Sequence, residues 1–138
     1  MCLKDFEKPE KYFKDKKEII VYKILNIDYT SQFEYYKWKE GLNISSRNSI
    51  EITEDEISNN EINNGFHFFL EKPKKCLYLC LYPCQYLYQC QYQNLYQCQY
   101  PLNKVVKFKV KIQDIIAIGK WEKVKSLVAT KAIMIKDE

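Results

Sequence analysis

His67 is the chain's one imidazole, and it stands in the run Gly65-Phe66-His67-Phe68-Phe69. An imidazole titrates near neutral pH, so beside Glu51, Glu54 or Glu56 it would form an acid–base pair of the kind a small transferase-like enzyme uses. The same run also reads as a strand in which Phe66 and Phe68 share one face while His67 and Phe69 share the other. The ring then sits beside an aromatic core and bonds a backbone or carboxylate partner. The strand context favours this second role, which leaves His67 as a possible functional residue and the catalytic set empty.

The second candidate chemistry lies between Lys75 and Asn103, where LYPCQY (81–86), LYQCQY (87–92) and LYQCQY (95–100) are near copies, and CLYLC (76–80) is a decayed fourth. Cysteines 76, 80, 84, 90 and 98, and tyrosines 78, 82, 86, 88, 92, 96 and 100, all fall on even positions. In a strand this writes one Tyr/Cys face and one Leu/Gln face. One uninterrupted strand of that length departs far from the usual five or six residues, so hairpins turning near Pro83 and Gln93-Asn94 are expected. The i+4 recurrence of the tyrosines also fits a helix, which Pro83 and the composition disfavour. Slippage of short nucleotide repeats would yield the same tract with no fixed structure.

The cysteine spacing C-x3-C-x3-C-x5-C-x7-C contains no C-x2-C knuckle and no nearby histidine, so no metal and no cofactor is expected. Reduced cysteines packed as small apolar groups fit better than disulfides, because neighbours on one strand face cannot bridge easily. The tyrosines, flanked by Lys74, Lys75, Lys104, Lys107 and Lys109, offer a ladder on which single-stranded nucleic acid would stack. A tyrosine-rich face equally suits a protein interface.

Only Gly41, Gly65 and Gly119 occur, so neither a G-x-x-x-x-G-K phosphate loop nor a G-x-G-x-x-G turn can be written. Arg47 is the one arginine, which weakens bidentate phosphate and guanine recognition, and nucleic acid is accordingly not the favoured partner. Charge is uneven within a net +4: residues 26 to 72 hold 4 basic and 9 acidic groups, whereas residues 105 to 138 hold 8 and 4. With 46% hydrophobic and 29% charged residues the composition is globular. The longest weakly polar stretch, Cys76 to Tyr88, is well short of the roughly 20 apolar residues that span a bilayer. The polar N-terminus lacks a signal-peptide core, so a cytoplasmic protein without membrane contact is expected.

Several elements must position these groups. The segment to Lys17 reads as a weak helix or extended lead-in broken at Pro9. Glu18 to Ile27, apolar on both faces, reads as a central strand, and residues 33 to 41 as an amphipathic strand ending at Gly41. Ile50 and Ile52 suggest a short strand, after which Thr53 and Glu56 form a capping box for a short acidic helix. Asn63-Asn64-Gly65 is a turn into the GFHFFL strand. In residues 105 to 112, Val106, Phe108, Val110 and Ile112 alternate with Lys107, Lys109 and Lys111, the period of a half-buried antiparallel strand. IIAIG follows as a strand stopped at Gly119, and residues 126 to 135 form one terminal strand. The expected fold is α+β, mostly antiparallel β: one small domain with a core at 18–72 and 105–136 and a Tyr/Cys/Gln repeat inserted at 76–102.

VYKIL, GFHFF, VVKFKVKIQDIIAIGKW and LVATKAIMI together resemble a family of small uncharacterised phage and prophage domains, in which G-F-H-x-F precedes a V-x-V strand and a D-I-x-A-x-G turn. The resemblance covers about residues 19 to 70 and 105 to 135; the repeat departs from it. It implies no catalytic residue or cofactor. By analogy with motif-poor inhibitors such as anti-CRISPR proteins, it implies a non-enzymatic protein that occupies a host protein or nucleoprotein complex. The expected contact surface is Tyr82, Tyr86, Tyr88, Tyr92 and Tyr96 with the Lys107, Lys109 and Lys111 row.

Overall fold

The alternation of Val106, Phe108 and Val110 with three lysines becomes the longest of the ladders in the computed structural model, which describes residues 2–26, 28–31, 36–73, 103–121 and 123–135. The strands in chain order are β1 (Leu3–Glu7), β2 (Glu18–Asn26), β3 (Gly41–Ile44), β4 (Glu61–Ile62), β5 (Phe66–Phe69), β6 (Asn103–Lys111), β7 (Ile115–Trp121), β8 (Val124–Ala129) and β9 (Lys131–Ile135). One helix, α1 (Glu54–Asn59), stands before β4. All described strands join one sheet of order β3-β9-β6-β2-β5-β8-β7-β1-β4 with antiparallel pairings throughout, a mostly β single domain.

The order forces this sheet to fold over on itself. Thr130 alone carries the chain from β8 to β9, although β5, β2 and β6 lie between those strands in the sheet. A single 3-10 turn, Ile112–Asp114, likewise carries it from β6 to β7. Thr130 N donates to Asp114 O at 2.9 Å, so the two crossings are tied to each other. Strands that change sheet at such corners make two halves that face one another. One half is β3-β9-β6-β2 and the other β5-β8-β7-β1-β4. They meet at a narrow seam, since β2 pairs with β5 only at Tyr22↔Phe69 but with β6 from Glu18↔Lys111 to Asn26↔Asn103.

Between the halves lies the main core. Val21, Leu25, Val106, Phe108, Val110 and Met134 enter from one half, and Phe66, Phe68, Ile118 and Leu127 from the other. Trp38 fills the centre, with its ring centroid 4.4 Å from Phe66 and 4.9 Å from Phe108. Two smaller clusters bury the outer surface of the second half: Leu3, Ile62, Ile116 and Val128 in one, and Ile24, Phe69 and Trp121 in the other. Lys23 shares the inward parity of Val21 and Leu25. Its ammonium donates to His67 O at 2.8 Å beside the seam and lies 5.7 Å from the Phe68 ring centroid.

Several local expectations hold. β5 and β6 lie where their patterns put them, and the Thr53 side chain accepts from Glu56 N in a complete capping box; β2 has its expected span, but it is not covered on both sides, since Ile20 is 41% exposed. Others are corrected. Of the two readings of the lead-in, the extended one holds and the helix does not: Leu3–Glu7 is a strand between β7 and β4. Of the strand expected at 33–41, residues 33–35 lie outside the described residues; 36–40 form no strand, β3 starts at Gly41, and Trp38 plugs the core from a non-strand segment. Ile50 and Ile52 form no strand. β7 runs through Gly119 to Trp121 because that glycine admits β1: a Cβ there would lie 2.5 Å from Lys4 O. The single strand expected at 126–135 is two strands bent at Thr130.

Candidate functional site

Lys107, Lys109 and Lys111 of β6 stand on the outer surface of the first half, because Val106, Phe108 and Val110 between them point into the core. Register lays the surface out as rows. Glu18 pairs with Lys111, Ile20 with Lys109 and Tyr22 with Lys107; across β9 and β3, Lys109 meets Ile133, Ile133 meets Leu42, and Lys131 meets Ile44. The result is a column of Lys107, Lys109 and Lys111 with Lys131 alongside, set among apolar side chains. Ile20, Leu42 and Ile44 are 41%, 49% and 55% exposed. Glu18 answers Lys109 at 3.6 Å with side chains 50% and 40% exposed, a solvated pair that contributes little. Lys107 and Lys111 are exposed, with no ion pair among the described residues.

At the Glu18 end, this face runs into an open cleft of about 760 Å³ that shares Ile20 and Lys109 with it. Its floor is Phe13, Ile19 and Leu70, half-buried side chains that rest on the main core. Tyr12 packs edge-on against Phe13 at 5.0 Å between centroids, and its hydroxyl accepts a bond from the Lys125 ammonium.

His67 is buried at 5% exposure on β5. Its Nε2 lies 3.0 Å from Ile62 O and its Nδ1 3.2 Å from Gly65 O, so the ring clamps the turn between β4 and β5. Both partners are carbonyl acceptors, so the neutral ring donates to one of them at a time. Burial lowers its pKa from 6.5 to about 4, and the nearby Lys23 charge adds to this against the opposing bond to Ile62. Glu51 and Glu54 are exposed elsewhere, and no carboxylate among the described residues bonds the ring. Gly65, at φ +118, makes the turn possible; a Cβ there would lie 2.5 Å from Val128 Cγ1. The structure therefore brings no acid–base pair together at His67.

Arg47 is equally committed. Its guanidinium binds both oxygens of Glu56 and donates to Ser49 O, Glu51 O and Asn64 O, tying α1, the preceding loop and the β4–β5 turn together. Burial pushes the Glu56 carboxyl up, but the bonds from Arg47 and the Thr53 amide outweigh it, so the carboxyl lies below its ordinary range. The chain's one planar phosphate-binding group is thus used internally. Cys2 is partly buried, and burial together with Glu61 pushes its thiol pKa up, the opposite of nucleophile activation.

Tyr82, Tyr86, Tyr88, Tyr92 and Tyr96 lie outside the described residues, as do the repeat cysteines. Among the described residues no group of three potential metal ligands converges, and no helix is long and apolar enough to cross a membrane. Sequence reasoning found the lysine column and missed the cleft, whose signal was dispersed over Tyr12-Phe13, Lys16-Lys17, Leu70 and Lys125. No protein-family model, curated protein or solved structure matches the chain.

Proposed function

We propose that the chain is a non-enzymatic cytoplasmic binding protein of phage or prophage type, which inhibits or modulates a host protein or nucleoprotein complex by surface contact, in the manner of an anti-CRISPR protein. One observation carries this reading: the outer face of β2-β6-β9-β3 exposes Ile20, Leu42 and Ile44 among Lys107, Lys109, Lys111 and Lys131. Apolar surface interrupted by charge of one sign suits an interface whose lysines steer an acidic partner, and it adds nothing to the packed interior. The commitment of His67 and Arg47 to backbone and ion-pair bonds supports a role without chemistry at either residue.

The test is copurification of the tagged protein from its host, comparing wild type with the triple variant Lys107→Glu, Lys109→Glu, Lys111→Glu. Wild type is expected to retain a stoichiometric partner, and the folded triple variant to lose it. A folded His67→Gln variant keeps its partner. Undiminished capture by the triple variant overturns the proposal. Substoichiometric action abolished by His67→Gln points to the enzyme alternative, and steeply salt-dependent binding of a single-stranded oligonucleotide points to the tyrosine-ladder alternative.

A further inference from the structure

We infer that the cleft beside the lysine column is the anchor site of that face, and that it takes an apolar side chain from an acidic linear segment of the partner. This rests on the reading of the face as the contact surface. The floor supplies the apolar half of the argument: Phe13, Ile19 and Leu70 are held from beneath by the core, so they present a preformed wall. The volume, about 760 Å³, lies within the range of clefts that hold ligands, and the cleft is open, so a side chain can enter it from a segment lying across its mouth.

The rim supplies the other half. Lys16, Lys17, Lys109 and Lys125 line the opening, against Glu18 and Glu71. Glu18 is already answered by Lys109, and Lys125 is steadied by the Tyr12 hydroxyl and ring, with its ammonium 4.6 Å from the ring centroid. The cleft therefore carries a positive excess around an apolar floor. Carboxylates flanking a single apolar residue complement both features, and an extended chain leaving the cleft past Ile20 would pass directly onto Lys109 and Lys107. A basic segment meets repulsion at the rim, and an acidic segment without the apolar residue leaves the floor wet.

Three synthetic twelve-residue probes test this on the full chain: an Asp/Glu peptide with one central Leu, the same peptide with Gly at the centre, and a Lys peptide with the central Leu. Binding is read by fluorescence anisotropy. The acidic Leu peptide is expected to bind at least tenfold more tightly than either control, and to lose at least tenfold on Leu70→Asp or on Lys125→Glu with Lys16→Glu. Leu70 is half-buried and Lys16 and Lys125 are exposed, so two independently placed variants guard against a folding defect in one.

Equal binding of the Leu and Gly peptides reduces the site to surface charge and overturns the inference. Preferential binding of dodecanoate over the acidic Leu peptide overturns it in favour of an amphiphile site. Host capture separates the two readings. If Lys107→Glu with Lys111→Glu abolishes capture while the cleft variants leave it intact, the face stands and the anchor falls. If all these variants capture normally, both fall.

Discussion

Tyr22 and Phe69 face each other across the seam, yet one step to either side the outer surface changes character. Beyond Phe69 lie side chains sealed from water: Phe69 itself packs against the Trp121 ring at 5.7 Å, and Val128 and Ile116 are covered by Leu3 and Ile62. Beyond Tyr22 lie Lys107, Lys109 and exposed isoleucines. Backbone pairing is antiparallel in both halves, so the ladder does not set the difference. The covered half is written in near-continuous apolar runs, Phe66 to Phe69 and Ile115 to Ile118, while on the open side β6 alternates from Val106 to Lys111 beside a β2 that is itself largely apolar. A strand buried on both faces needs the first pattern, and a strand with one wet face the second. The pattern thus marks which half of the sheet keeps a wet outer face.

The sharpest break of that contrast is a matched pair of truncations. Phe69→Ala, on the covered outer surface, is expected to cost about 3–5 kcal/mol, the usual cost of emptying a buried aromatic site. Ile20→Ala, on the open one, is expected to stay within about 0.5–1 kcal/mol. Urea titration measures both; equal losses would mean that the two surfaces are not different in kind.

Acid should attack the covered half first. The unfolded chain protonates His67 around pH 6.5, whereas the folded ring does so only near pH 4. Because the folded pKa is the lower one, the stability associated with the neutral ring is complete above the unfolded pKa and declines as the pH falls from 6.5 to about 4. The loss amounts to about 3 kcal/mol across that window. The urea midpoint of wild type should therefore fall through this window more steeply than that of His67→Gln. Parallel profiles would show that the ring does not titrate abnormally.

A slightly smaller effect is expected at Arg47. Replacing it by alanine leaves the half-buried Glu56 carboxylate without its guanidinium and frees the loop carbonyls, a loss of about 2–3 kcal/mol. Hydrogen exchange should show α1 and the β4–β5 turn opening while β6 stays protected. Smallest of all, Lys107→Ala and Lys111→Ala should each change stability by less than about 0.5 kcal/mol, since both side chains are exposed and neither makes an ion pair among the described residues. A loss of binding with unchanged melting temperature is the signature that makes the open half functional rather than structural.

Much of this was legible because alternation reports faces directly. Val106, Phe108 and Val110 announced the core side of β6, so the lysine column followed without a structure. The Thr53–Glu56 capping box was legible because its two residues lie three apart, whereas the partner of His67 stayed open between backbone and carboxylate until the fold placed Ile62 O and Gly65 O beside the ring. What alternation cannot report is a change of sheet. Apolar residues stand on both sides of the bend, at 127–129 and 132–135, and the polar pair Thr130-Lys131 between them reads equally as a wet position of one strand or as a corner. Gly119 looked like a stop because glycine weakens strands, whereas the close approach of β1 requires it there. The cleft was invisible because its walls come from separate stretches of chain that only the fold brings together.

The sheet order also sets a timetable. β2 finds its long partner only in β6, and β9 and β3 pair only with each other and β6, so the first half cannot assemble until the last third of the chain has been made. Until β6 is made, a nascent chain emerging from the ribosome therefore carries Ile19 to Leu25 with only the single Tyr22↔Phe69 pairing to β5 open to it. Non-local pairing of this kind folds in milliseconds to seconds rather than microseconds. During synthesis, the apolar β2 segment is the point at which chaperones or aggregation compete with native folding.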